Sequence, residues 1–379
     1  MPSRTSVKAV SESISEADRT AGGLVGLKAA SSWRRFTGQR LRLVLASLLL
    51  VTATAAQAAT IVRVSTSVGD FSIELYDTAT PGTVENFLRY VKGEVVDINN
   101  APVDAAVNYN RTYLHRTQEI ETQGIGIIQG GAYRFQPFFG PEPIIESDEV
   151  PTVINEPGLS NSRGTIAMAK AAGDPDSATY QWFFNTSDNG NALDANNGGF
   201  TVFGRVLGGV DGSDLEAGMA VLDTIQGLQK FRPCGSSIPC PRADFAPIIT
   251  DAYGGRPDEE LVFVAMQVVD RYSAAVNVFN PLSGQIISAM TADGGVAAYS
   301  IKWTVLTEGS QILLEPDVDS LLLLRDAPEG AAEFTGATGM LNFPRLELSE
   351  GESFCNLTFQ LADPATLRFA LTGTVDSCQ

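Results

Sequence analysis

From Ile61 to Thr66 apolar and polar side chains largely alternate, and after a turn at Val68-Gly69-Asp70 they alternate again from Phe71 to Tyr76. A period of two sends successive side chains to opposite faces, so this stretch predicts a β-hairpin. The period then lengthens. Thr80-Pro81 marks a helix start, with the hydroxyl as cap and proline at the first helical position. Val84, Phe87, Leu88 and Val91 follow at helical spacing and predict a helix over 83–92. Residues 94–111 lack a period and are expected as a long loop. Strand-like runs return at 126–129, 164–168, 181–185 and 201–206. Leu215, Met219, Leu222 and Ile225 share one helical face, predicting a second helix over 215–225. Proline, glycine and cysteine punctuate 229–257, a further loop, and 261–269 is an apolar strand. Past a linker at 271–280, further strands are expected at 297–305, 311–314, 320–324, 345–348, 354–361 and 367–375. The expected fold class is all-β, a barrel or sandwich with helical caps over 60–270 and a smaller β-rich domain over 281–379.

Charge and composition narrow the function. The chain has 379 residues, 44% apolar, with a formal net charge of −18. Residues 1–59 carry eight basic and three acidic side chains, leaving 18 basic against 41 acidic, a net −23, on the remainder. Such a surface repels phosphate backbones, so nucleic acid is not an expected partner. Arg34, Arg35, Arg40 and Arg42 precede the apolar run Leu43–Val51, which ends in Ala56-Gln57-Ala58. A basic region, a short apolar run and a small-x-small end form an export signal, with cleavage expected near Ala58 and a periplasmic or secreted mature chain. The run is short for a membrane span, so none is expected in the mature chain, the alternative being an uncleaved amino-terminal anchor. All four cysteines follow the signal. Local pairing of Cys234 with Cys240 and of Cys355 with Cys378 keeps each bridge inside one domain, and three connectivities stay open.

His115 is the only histidine, so a multi-histidine metal site is excluded, and no phosphate-binding Gly-x-x-x-x-Gly-Lys run occurs. Seven segments carry a more specific signal: Thr80–Phe87, Tyr113–Arg116, Ile127–Gly131, Gly164–Ala169, Ser177–Asn185, Leu193-Asp194 and Phe200–Val206. In this order they resemble the cyclophilin peptidyl-prolyl isomerases. The resemblance implies an eight-stranded antiparallel barrel capped by two helices, with a groove on its outer face. It implies proline-containing segments of exported proteins as partners, and neither cofactor nor metal. It leaves the second domain unassigned.

The same resemblance implies roles residue by residue. Arg116 is the catalytic arginine, Gln129 holds it together with substrate backbone, and Phe183 is the platform for the proline ring. Ile127 and Leu193 are apolar neighbours of that platform, and Phe200 stands where histidine is common. Ala169 and Lys170 meet the residue before proline, Lys170 through its main chain, and Gln181 lines the polar edge. His115 adjoins Arg116, and strand alternation would turn it away from the groove into a structural role. Two positions depart from the pattern: Gly126 where an aromatic wall is usual, and Ala192 where many members have tryptophan. These losses favour the alternative reading, a module that holds peptides with little or no turnover.

Overall fold

The computed structural model describes residues 59–136, 140–231, 246–248, 260–295, 297–349, 352–372 and 376–378. The export signal, apart from Ala59, and the Cys234–Cys240 pair lie outside the described residues. Among the described residues strands dominate, in two large sheets with four short or medium α-helices.

The hairpin is β1 (Ile61–Thr66) and β2 (Asp70–Leu75), paired antiparallel from Ile61↔Glu74 to Ser65↔Asp70. Around the first sheet follow β3 (Thr112–Tyr113), β4 (Arg116–Gln118), β5 (Ile127–Gly130), β6 (Tyr133–Gln136), β7 (Gly140–Pro143), β8 (Thr165–Met168), β9 (Trp182–Asn185), β10 (Val202–Leu207) and β13 (Phe263–Val269). Hydrogen-bonded neighbours run β4-β5-β9-β8-β10-β2-β1-β13-β3-β6-β7. β3 and β4 are consecutive in the chain, and the residues between them continue both ladders: the Leu114 amide donates to Val262 and the His115 amide to Gln129. Counting β3 and β4 as one interrupted strand closes an eight-strand ring, with the β6–β7 hairpin added at β3. The hairpin β11 (Gln229–Phe231) and β12 (Ala246–Ile248) lies in the stretch expected as a loop.

Alternation decides which side chains fill the ring. Val62, Val64, Ile73, Ile128, Ile166, Trp182, Phe184 and Phe203 point inward into one cluster. Helix α1 (Pro81–Lys92) closes it with Val84, Phe87 and Tyr90, and α4 (Leu215–Gly227) adds Met219, Leu222 and Ile225. Between these helices lie the one-turn α2 (Ile120–Gln123) and α3 (Gly190–Leu193). The start of α1 corrects the expected cap. The Thr80 hydroxyl bonds back to the Tyr76 carbonyl, and the exposed amides are met from elsewhere in the chain. Glu156 accepts from the Gly82 and Thr83 amides, at 3.2 and 2.8 Å, and from the Thr83 hydroxyl at 2.7 Å. A carboxylate there satisfies orphan donors and opposes the positive end of the helix dipole.

The second sheet contains β14 (Val278–Asn280), β15 (Gln285–Ala292), β16 (Ala298–Glu308), β17 (Gln311–Leu324), β18 (Ala332–Thr335), β19 (Met340–Ser349), β20 (Glu352–Asp363), β21 (Arg368–Thr372) and β22 (Asp376–Ser377). Its pairings run full circle, β15-β16-β17-β21-β20-β19-β18 and back to β15, around Trp303, Leu341, Phe343 and Phe369. The strands expected at 311–314 and 320–324 are one strand. Four residues, 318–321, loop out opposite Ile301, so the pairing resumes on the far side. Cys355 and Cys378 are disulfide-bonded, tying the chain beyond β22 to β20. The stretch expected as a linker is held to both sheets. The Tyr272 hydroxyl donates to Gly209, Arg271 and Ser273 bond Glu347, and the Arg63 guanidinium donates to Ala275. Ile61, Leu207 and Val269 pack with Ile287 across the junction.

Candidate functional site

A row of paired positions crosses the outer face of the first ring. Arg116 on β4 faces Gln129 on β5, Gln129 faces Phe183 on β9, Phe183 faces Ala167 on β8, and Ala167 faces Val202 on β10. Side chains directly opposite one another across a sheet stand on the same face. The two ends of this row differ in chemistry.

The first end is polar. Arg116 Nη1 donates to Gln129 Oε1 at 3.1 Å, and Gln129 Nε2 donates to Gln181 Oε1 at 2.9 Å. Gln129 thus spends its carbonyl on the guanidinium and its amide on Gln181, which fixes its orientation. Gln129 is 8% exposed and Arg116 only half-buried, so the cation keeps access to the groove.

The second end is apolar. Phe183, Ile127, Leu193, Ala167 and Val202 form a cluster separate from the barrel interior. Tyr76, Ile125, Ala169, Ala192 and Phe200 pack against it and are only partly buried, so they form its rim. Phe200 meets Phe183 edge-on with ring centres 5.8 Å apart. Trp182 and Phe184, neighbours of Phe183 in sequence, are buried in the barrel instead.

Loops lock the rim in place. The Ala169 amide donates to the Gln181 carbonyl. The Lys170 side chain turns inward, its ammonium donating to Gly199 at 2.5 Å and Pro175 at 3.3 Å and lying 5.0 Å above the Phe200 ring. Burial lowers its pKa, with Asp176 and Asp174 acting the other way. Lys170 therefore acts through its side chain as a strut, beyond the main-chain contact expected for it. Asp194 holds the loop after α3, accepting from the Ser160 hydroxyl and from both nitrogens of Asn161. Asn189 clasps Gly126 at both ends, accepting from its amide at 3.0 Å and donating to its carbonyl at 2.8 Å. Asn161 and Asn189 escape a sequence reading because their partners are distant in the chain.

His115 is buried away from the groove, in a structural place. It lies in the interruption between β3 and β4, is 2% exposed, and packs edge-on against Tyr133 at 5.0 Å. Burial, with the Arg116 charge beside it, lowers its pKa to about 3, while the Tyr113 backbone and the Gln181 side chain favour the charged form only partly. His115 is therefore neutral at neutral pH and abuts the polar end of the site from below.

All nine residues expected in the groove fall into this one region: Arg116, Gln129 and Gln181 at the polar end, Ile127, Phe183, Leu193 and Phe200 at the apolar end, and Ala169 and Lys170 in the bracing segment. The sequence is similar to known proteins over the part of the chain that holds this region. A family profile described as cyclophilin type peptidyl-prolyl cis-trans isomerase/CLD matches residues 61–235. A peptidyl-prolyl cis-trans isomerase of Acinetobacter baylyi is 36% identical over 177 residues, 46% of this chain and 79% of that protein. The peptidyl-prolyl cis-trans isomerase B of Escherichia coli is 34% identical over 161 residues, 41% of this chain and 82% of that protein. A solved cyclophilin-type isomerase of Cryptosporidium parvum aligns with a TM-score of 0.34 at 20% identity, over 56% of this chain and 99% of that one.

Proposed function

This chain belongs to the cyclophilin-type peptidyl-prolyl cis-trans isomerases, and we propose that it turns X-Pro bonds of exported proteins, with Arg116, Gln129 and Phe183 as its working residues. The chemistry asks for little. Rotation about a peptide bond meets a barrier of roughly 18–20 kcal/mol because amide resonance must be broken. Uncatalysed X-Pro exchange takes tens to hundreds of seconds. At the twisted midpoint the proline nitrogen pyramidalises and its lone pair becomes an acceptor. A cation that donates there stabilises the midpoint over both planar forms.

Arg116 suits that task because guanidinium keeps its charge and presents N–H groups in a fixed plane. Gln129 takes up one of them, which aims the fork, while the apolar cluster around Phe183 seats the ring across the row. Removing about 7 kcal/mol from the barrier corresponds to a ~10⁵-fold acceleration. No proton changes hands, so neutral His115 has no step to perform. The observation that carries this reading is the single row placing a guanidinium, its glutamine brace and an aromatic platform on one face. Exchange spectroscopy on a short Ala-Pro peptide tests it: the reading requires faster cis–trans exchange with the full chain present. Binding without faster exchange would favour the peptide-holding module to which Gly126 and Ala192 lend support.

Export is supported by the basic and apolar sequence of residues 34–58 and by a disulfide within the second domain. No helix among the described residues is long and apolar enough to cross a membrane. Clients would be unfolded segments outside the cytoplasm. Amino-terminal sequencing of protein recovered from the envelope and medium tests this, with a start at Ala59 or Thr60 expected and a start at Met1 against it.

A further inference from the structure

We propose that Ile125 forms the wall of the ring seat on the side that Gly126 leaves without a side chain, and so binds substrate directly; this assignment rests on the isomerase reading. Gly126 cannot supply that wall. A Cβ added there would lie 2.4 Å from Ser187 Oγ and 2.9 Å from Thr186 Oγ1, and the backbone on both sides is clasped by Asn189. Ala192 adds only a methyl group to the rim. Phe200 is committed to the opposite side, between Phe183 and the Lys170 ammonium. Tyr76 sits toward β10, its amide on the Phe203 carbonyl. Beside Ile127, the bulky rim group left is Ile125, partly exposed and packed into the Phe183 cluster.

The local chain explains how it gets there. Helix α2 ends at Gly124, whose φ of 77° is readily adopted only without a Cβ. The Gly124 amide closes the turn onto Ile120, so Ile125 emerges directly from the turn ahead of β5. The segment is held down at its base. Gln226 donates to the Gln118 carbonyl at 2.8 Å, and Lys230 pairs with Glu119 at 2.7 Å. The wall is thus aliphatic and β-branched, with few rotamers to lose when a ring settles against it. It also lies one residue earlier than the position where a motif reading looks for an aromatic.

The test measures kcat and KM separately on an Ala-Pro peptide with the full chain. Ile125→Ala should raise KM about tenfold, from lost apolar contact, and change kcat by less than about twofold. Ile125→Met should recover most of the loss. Ile120→Ala alters an exposed apolar side chain of the same segment outside the cluster and should leave both constants unchanged. A wild-type KM in Ile125→Ala, or an equal loss in Ile120→Ala, overturns the assignment. A second readout does not depend on the Ile125 variants folding: methyl NMR of the wild type and of Arg116→Ala during titration with the same peptide. The Ile125 methyls should shift in both, and no shift in a protein that binds the peptide overturns the proposal. Absence of turnover with a clear methyl shift would count against the isomerase reading and leave Ile125 as a binding residue.

Discussion

Arg116 and Gln129 are paired directly across β4 and β5, and the guanidinium donates to the glutamine carbonyl at 3.1 Å. The same glutamine gives its amide to Gln181. One side chain therefore links the cation to the polar rim, and that link depends on its not rotating.

Gln129→Ala should accordingly lower kcat/KM by roughly 10- to 100-fold, the usual weight of a hydrogen bond to a charged group. Thermal midpoint should change little, because Gln129 contributes to the outer face and not to the barrel interior. Steady-state kinetics beside a melting curve checks both halves, and unchanged kinetics would mean that Arg116 is aimed by something else.

His115 supplies a pH dependence of stability. Its pKa is lowered from 6.5 to about 3 in the folded chain by burial and by Arg116. The unfolded chain takes up a proton near pH 6.5 that the folded chain refuses until about pH 3. Folding is therefore progressively disfavoured as pH falls through that interval, and the effect vanishes above it. His115 is the only histidine, so the comparison is clean. The drop in Tm between pH 7.5 and pH 5.5 should be smaller in His115→Gln than in the wild type, and equal drops would contradict the assignment. On the proposed mechanism isomerase activity should vary little over the same range, since a guanidinium keeps its charge throughout it.

Much of this architecture is legible in the chain before any coordinates. Strands with one wet and one dry face announce themselves by alternation, as Val62 and Val64 do, and α1 and α4 by apolar positions one turn apart. β3 and β4 do not, because two and three residues carry no period and their pairing is imposed by β13 and β5. β15 is missed because its central buried side chains are small: Ser288, which accepts from the Trp303 indole, and Ala289. β17 looks like two strands because Glu315-Pro316-Asp317 and the looped-out 318–321 interrupt the apolar pattern. In the site, the motif names Arg116, Gln129 and Phe183, but only the register shows them in one row. The Glu156 cap and the Asn189 clasp depend on contacts 73 and 63 residues apart and leave no local trace.

Glu156→Gln should destabilise the chain by about 1–2 kcal/mol, since an amide satisfies the α1 amides less well and loses the favourable charge at the helix end. A denaturant series gives the number. Because Glu156 lies outside the polar row, kcat should be unaffected below the unfolding range, and a large loss of kcat would show that α1 governs the groove.

Gly126→Ala should cost roughly 1–3 kcal/mol, since the new methyl runs into the Ser187 and Thr186 hydroxyls. Pairing it with Ser187→Gly should return a substantial part of that loss, read as a coupling energy in a double-mutant cycle. Strictly additive effects would mean that the loop at 186–189 moves aside without cost.

The central claim is that a fixed guanidinium meets the amide nitrogen as its conjugation is interrupted. Exchange spectroscopy on one Ala-Pro peptide, with wild type and Arg116→Ala at saturating peptide, measures this most directly. The account predicts that wild type accelerates cis–trans exchange and that Arg116→Ala loses at least 100-fold of it while still binding the peptide. An Arg116→Ala protein that exchanges the peptide as fast as wild type would contradict it.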